Sequence, residues 1–347
     1  MYPKTDDFLC VNCTLCEKVC PVINQNIERK PENVYAVKNK NEFIRESSSS
    51  GGFFLLLGEK VIENKGVVFG AKYTNDWEVV HDYAENAKDL IPLQGSKYVQ
   101  SRVNGSFVEV ESFLKKGRQV LFTGTPCQIA GLKLFLKKKY DNLITIDFIC
   151  HGVPSPLVFK LYLNEIKKNI CDEIKEINMR DKKSGWKNYS FTIVGSINGS
   201  LIKKSEVLND NIYRRGFLSD IYLRPSCHKC PSKNFKSGSD ITIGDYWGID
   251  TIHPEFYDNK GISLVCIHKK IMALDSLNCF FIQSDIDKAK KYNKYISVSA
   301  KPSVYRDIFF REIHSYSIID LIKKYSNDSK LKKLKKLFFK IRKYWRI

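Results

Sequence analysis

Twelve residues near the start constrain this chain more than any other feature: Cys10-Val-Asn-Cys13-Thr-Leu-Cys16-Glu-Lys-Val-Cys20-Pro21. The pattern is C-x2-C-x2-C-x3-C-P, the ligand run of a bacterial-type [4Fe-4S] site. Three thiolates two residues apart wrap one cube of iron and sulfur, and the fourth, followed by proline, leaves the loop. Four cysteines this close are cramped for two unstrained disulfides, and zinc usually takes two separated pairs. In two-cluster ferredoxins the fourth cysteine of such a run serves the other cluster, so Cys20 has two assignments open to it.

The remaining composition limits the setting. The chain has 347 residues, enough for a large core or for two to three domains. No run of 18 apolar residues occurs, and the first seven residues lack the basic and apolar regions of a secretory signal. Eleven cysteines in that context point to a reducing cytoplasm and metal ligation rather than disulfides. The expected location is therefore cytoplasmic, at most peripheral to the inner face of the membrane.

The net charge is +19, and residues 330–347 carry nine Lys or Arg with no acid. In that segment Leu331, Leu334, Leu337, Phe338, Ile341 and Trp345 recur at helical spacing, as in a cationic amphipathic helix suited to an anionic membrane surface or a docking partner. The rest of the chain is basic too. Its expected counterparts are an acidic electron-transfer protein or anionic cofactor and substrate groups. No nucleic-acid motif is present, so no nucleic-acid partner is expected.

The pattern along the chain predicts an α/β fold with α+β elements: a ferredoxin-like cluster cap, then a mixed-sheet domain. Residues 1–30 form the cap. Residues 31–105 and 106–290 form the N- and C-terminal parts of the main domain, and 291–347 a basic, partly amphipathic helical tail. Strands are expected at Val34–Lys38, Val67–Tyr73, Val79–Tyr83, Gln119–Thr123, Leu143–Ile149, Asp240–Asp245 and Ile262–Ile267. Residues 174–208 read as antiparallel strands. A helix is expected to start after Ser47-Ser-Ser-Ser-Gly51-Gly52, whose glycines allow backbone N–H groups to approach a ligand.

A second cysteine set follows from this topology. Cys127 follows one predicted strand and Cys150 the next. Parallel strands put both exits on the same sheet edge, where open α/β folds bind ligands. Cys227-His-Lys-Cys230-Pro adds a pair at metal-ligand spacing. Four thiolates from three loops suit a second [4Fe-4S] site or a zinc ion. A third reading makes Cys127 a nucleophile at a helix N-terminus with His151 as its base, lacking an identified orienting group. Cys171, Cys266 and Cys279 read as small core residues.

Five ordered segments carry a family resemblance: Gly95-Ser-Lys-Tyr-Val-Gln-Ser101, Gly124-Thr-Pro-Cys127-Gln-Ile-Ala-Gly131, Cys150-His-Gly-Val-Pro-Ser155, Arg224-Pro-Ser-Cys-His-Lys-Cys230 and Ser239-Asp-Ile-Thr-Ile-Gly-Asp-Tyr-Trp-Gly248. Over residues 34–275 the chain resembles the coenzyme F420 hydrogenase/dehydrogenase beta-subunit family. The resemblance implies an FAD-containing α/β protein whose [4Fe-4S] clusters feed the flavin. It implies one cluster on Cys10, Cys13, Cys16 and Cys20 and another on Cys127, Cys150, Cys227 and Cys230. FAD is then expected against Ser49, Ser50, Gly51, Gly52, Lys97, Gly124, Thr125 and Gln128, with Asp245 as a further contact. His151 and Lys97 are candidates for proton supply or charge stabilisation. The implied activity is electron transfer from ferredoxin, or another low-potential donor, to FAD and a small organic acceptor. The alternative is an electron-transfer subunit serving a partner enzyme. No residue pattern identifies a deazaflavin pocket or a hydrogenase centre.

Overall fold

The computed structural model describes residues 5–207, 210–269 and 273–326. It is a mixed α/β fold built on one eight-stranded sheet. The strands of the chain are β1 (Asn33–Asn39), β2 (Val67–Tyr73), β3 (Val79–Ala84), β4 (Val120–Gly124), β5 (Leu143–Phe148), β6 (Glu173–Asp181), β7 (Ser190–Ile197), β8 (Ser200–Val207), β9 (Ile241–Asp245), β10 (Ser263–Ile267) and β11 (Cys279–Gln283). The large sheet runs β11-β1-β10-β9-β5-β4-β2-β3, and β6-β7-β8 form a separate antiparallel sheet. β2, β4, β5 and β9 are mutually parallel, and the outer strands are antiparallel to their neighbours.

Alternation along the central strands fixes the two faces. Val68, Leu121, Ile144 and Ile146 join the core under the helix Phe53–Glu63. Val67, Phe69, Val120, Phe122 and Leu143 join the opposite core, against the helices Ser106–Lys115 and Pro126–Leu136. The sheet takes strands from both sides of residue 105, so residues 31–105 and 106–290 share one framework.

Two elements go beyond the sequence reading. A helix at Glu42–Ser47 precedes the serine–glycine run, started by the Asn41 side chain, which accepts a hydrogen bond from the Ile44 N–H. Residues 279–283 form an edge strand paired with β1. The described part of the C-terminal segment, residues 291–326, is partly helical and packs on the core. In the helix Ile318–Ser326, Ile318, Leu321, Ile322 and Tyr325 line one face and are buried against the helices Pro156–Asn169 and Ile212–Leu218. The expected amphipathic helix of residues 330–347 lies outside the described residues. Among the described residues no helix is long and apolar enough to cross a membrane.

Strand direction determines where the chemistry can sit. The C-terminal ends of β2, β4, β5 and β9 and the N-terminal end of β10 share one edge, because Ser263 pairs with Asp245. β1 ends there too, with Val37 opposite Ser263. The loops after β1, β4, β5 and β9 therefore open along one line.

Candidate metal and cofactor centre

Cys127, Cys150, Cys227 and Cys230 wall one cavity of about 270 Å³ at this edge. Cys127 sits in the first turn of the helix Pro126–Leu136, which opens with a capping box between Thr125 and Gln128. Cys150 follows β5. Its loop is stitched to the loop carrying Cys227 by Arg224 N–H to Val153 O at 2.9 Å and Ser155 N–H to Tyr222 O at 2.9 Å. The Val153 N–H also donates to Cys227 Sγ at 3.4 Å. Cys230 is fixed from residues 295–300: its N–H donates to Ser299 Oγ at 3.2 Å, and Lys233 Nζ bridges Cys150 O at 2.5 Å and Tyr295 O at 2.7 Å.

Burial governs these thiols. It pushes Cys150 far up, with the neighbouring thiols adding to the rise and Lys233 opposing it. It pushes Cys227 up to about 11 and raises Cys230. A coordinating cation inverts that logic, because the bound thiol is deprotonated outright. Among the described residues, no three His, Cys, Asp or Glu side chains converge as around a single ion. Four thiols set round a cavity fit a polynuclear cluster, with the helix N-terminus and Lys233 offsetting its negative charge.

The N-terminal set has a different setting. Cys10, Cys13 and Cys16 are exposed and Cys20 is partly so, in a loop-rich cap with one short helix at Leu15–Lys18. Asn24 ties the loop by donating to the Glu17 and Cys20 carbonyls at 2.6 and 3.2 Å. A hollow brings Leu15, Cys16 and Val19 against Phe135, Leu136 and Lys137. Cys16 and Cys127 thus stand near opposite ends of one eleven-residue helix, about 16 Å long at 1.5 Å per residue.

The other residues singled out by sequence fall into two groups. Thr125, Gln128 and His151 line the cysteine cavity. Gly124 ends β4 directly beneath Gln128. His151 Nε2 lies 2.5 Å from Asp220 Oδ1, and its ring packs on Phe217 and Tyr295 at 4.8 and 4.2 Å. Asp220 supplies the orienting group that sequence did not reveal, but no hydrogen bond joins His151 to Cys127. Cys127 Sγ instead contacts Thr125 Oγ1 at 3.1 Å.

Ser49, Ser50, Gly51, Gly52, Lys97 and Asp245 lie farther along the edge, outside that cavity. Ser49 Oγ accepts the Ser96 N–H at 2.7 Å, Ser50 Oγ donates to Ile262 O at 2.8 Å, and the Gly51 N–H donates to Ser263 Oγ at 3.0 Å. A Cβ on Gly51 would lie 2.2 Å from Val37 O, so the loop approaches β1 only as glycine. Asp245 is the partner of a buried cation: both oxygens face Arg180, and Oδ1 also accepts Trp186 Nε1–H at 2.9 Å.

Lys97 has two buried cations for company at this end of the sheet, Lys182 and Arg214, which sequence reading missed. Lys97 Nζ donates to Gln94 O and Gly95 O at 2.8 and 3.2 Å. Lys182 Nζ donates to Arg45 O, Ser50 O and Lys260 O. Desolvation lowers each lysine to about 7. Arg214 is buried over Tyr189 at 4.4 Å, and its Nε and Nη1 have no hydrogen-bond partner among the described residues. Lys97, Lys182 and Arg214 are thus basic side chains taken out of water, chemically suited to an anionic group such as a phosphate.

Part of the chain is similar to known proteins. Residues 117–274 match the family model for the C-terminal part of the coenzyme F420 hydrogenase/dehydrogenase beta chain. That span holds Cys127, Cys150, Cys227 and Cys230, whereas Cys10–Cys20 precede it. One subunit of the F(420)H(2) dehydrogenase of Methanosarcina mazei is 24% identical over 190 residues, covering 52% of this chain and 51% of that protein. The chain thus matches about half the length of this curated relative. A chain in a solved structure of the F420-reducing [NiFe] hydrogenase complex from Methanosarcina barkeri is 18% identical with a TM-score of 0.47, covering 86% of this chain and 93% of that one. Residues 117–274 of this chain are thus similar to the C-terminal part of the coenzyme F420 hydrogenase/dehydrogenase beta subunit.

Proposed function

We propose that this chain is an iron–sulfur flavoprotein oxidoreductase that takes electrons one at a time and delivers them in pairs to a small organic acceptor. The observation that carries the reading is the meeting of four thiols from three separate loops on one cavity at the ligand-binding edge of the sheet. Cys10, Cys13, Cys16 and Cys20 hold the outer [4Fe-4S] cluster, and Cys127, Cys150, Cys227 and Cys230 hold the inner one. Clusters held on these cysteines would supply one-electron chemistry, and a flavin held at the same sheet edge would supply hydride chemistry.

The chain's own residues provide the rest. The exposed cap lets a donor approach Cys10–Cys20, and the helix Pro126–Leu136 spaces the two sites. A net charge of +19 favours an acidic donor such as ferredoxin. Lys97, Lys182 and Arg214 hold the pyrophosphate, with the Ser49–Gly52 loop as their wall. Asp220 holds His151 at the cavity, where its ring can pass a proton. Anaerobic purification followed by iron, sulfide and flavin assays tests the reading. It predicts about eight irons, four per cluster, and one FAD per chain. Zinc in place of iron, or absence of flavin, overturns it.

A second reading is favoured by the name of the matched dehydrogenase chain, which is that of one part of a larger enzyme. Here the chain relays electrons to a partner that performs the chemistry. Reduction of an organic acceptor by the isolated, loaded protein separates the two.

A further inference from the structure

β5 turns Ile144 and Ile146 into one core and presents Thr145 and Asp147 to the other side. Asp147 is only 1% exposed, yet it lines the cavity that holds the four core cysteines. Its Oδ1 accepts a hydrogen bond from Thr242 Oγ1 at 2.5 Å, and that hydroxyl lies 3.0 Å from His268 Nε2. The arrangement assigns a direction: the Thr242 hydroxyl donates to the carboxylate, and His268 Nε2–H donates to Thr242. His268 Nδ1 is then a bare acceptor, and it has no partner among the described residues.

The groups around Asp147 come from five elements. Thr242 stands on β9, Cys266 on β10 and His268 just beyond it. Ser237 and Ser239 approach from the preceding loop. Arg29 acts from the N-terminal segment without touching the carboxylate, its guanidinium donating to Ser239 O at 2.8 Å and Phe235 O at 3.4 Å. Lys133, on the helix Pro126–Leu136, pairs instead with Asp240 at 3.7 Å. Asp147 is therefore a buried carboxyl served by hydroxyls, with no cation hydrogen-bonded to it among the described residues. Desolvation wins over those donors and raises it to about 6.

We propose that Asp147 takes up one proton when the site walled by Cys127, Cys150, Cys227 and Cys230 accepts one electron. This rests on reading that site as an iron–sulfur centre. The electron comes from a one-electron carrier of the ferredoxin class and the proton from water. One O–H bond forms on the Asp147 carboxylate, and no other bond changes. The cause is electrostatic: a negative charge added across the cavity disfavours a second one on the unpaired carboxylate. Proton uptake keeps the buried site from accumulating charge.

The test uses the full chain with Cys10→Ser and Cys13→Ser, so that the remaining cluster signal belongs to the core site. Its midpoint potential is followed by EPR-monitored redox titration across neutral pH. The potential falls as pH rises above about 6, by up to about 59 mV for each tenfold drop in proton concentration. Asp147→Asn, added to that protein, removes the slope. A pH-independent potential, or an unchanged slope in the Asn variant, overturns the proposal. Should the Asn variant fail to fold, redox-difference infrared spectroscopy of the parent decides: reduction must produce a protonated-carboxyl band, and its absence overturns the proposal. Loss of all iron from the Cys10→Ser, Cys13→Ser protein instead overturns the iron–sulfur reading of the site on which the proposal stands. Iron retained with a flat potential overturns proton uptake alone.

Discussion

His151 and Asp220 are joined by a 2.5 Å contact between Nε2 and Oδ1, with Phe217 and Tyr295 closing on the imidazole ring. The contact ties the loop after β5 to the end of the helix Ile212–Leu218, 69 residues away in sequence. Hydrogen bonds to a charged group contribute about 1.5–3 kcal/mol. Asp220→Ala is expected to lower stability by that amount in urea denaturation, and Asp220→Asn by less, because the amide oxygen still accepts from the ring.

The buried pair of Arg180 and Asp245 behaves differently. Removing one partner strands the other charge, so Asp245→Asn should cost about 3–5 kcal/mol. Arg180 is also packed over Tyr189 at 4.1 Å, and its pairing with Asp245 ties the second sheet to the edge of the first. The double change Arg180→Met, Asp245→Leu should recover most of the loss. A double-mutant cycle by chemical denaturation measures it.

Thiol reactivity should divide the cysteines by burial. In iron-free protein at neutral pH, Cys10, Cys13 and Cys16 are exposed and should be alkylated at least about tenfold faster than Cys150, which burial keeps protonated. Cys171 and Cys266 are buried and should react last. In iron-loaded protein the N-terminal three should become protected despite their exposure. Peptide mass spectrometry reads both patterns.

His81 should make stability pH-dependent. It is stacked on Phe122, its Nε2–H donates to Thr123 O at 3.0 Å, and its Nδ1 is buried without a partner among the described residues. Desolvation lowers it to about 4. The unfolded chain binds the proton near pH 6.5 and the folded chain does not, so this contribution is present above about 6.5 and is lost as pH falls toward 4. Between neutral pH and about 4, wild type should lose on the order of 2–3 kcal/mol more than His81→Gln, which cannot titrate. Paired urea titrations at the two pH values check this.

Local pattern made much of this site legible. Two strand-loop-helix units told where Cys127 and Cys150 must emerge, because parallel strands leave no choice of edge. The spacing of Cys227 and Cys230 marked them as a pair. What sequence did not carry was long-range partnership. Asp220, Arg180, Lys182 and Arg214 look like ordinary surface charges until the small sheet and the helix Ile212–Leu218 fold over the edge. Asp147 looks like a strand residue until Thr242 arrives 95 positions later. The helix Ile318–Ser326 falls within the expected partly amphipathic segment, but the helices it packs against could not be read from sequence.

The proposed function requires two independent iron–sulfur sites, one on the cap and one at the sheet edge. The direct measurement is iron and acid-labile sulfide per chain after anaerobic purification of the variant in which Cys10, Cys13, Cys16 and Cys20 are all serine. The account predicts that about four irons and four sulfides remain, and that they are lost when Cys227→Ser is added. A protein containing no iron once the N-terminal cysteines are gone would contradict it.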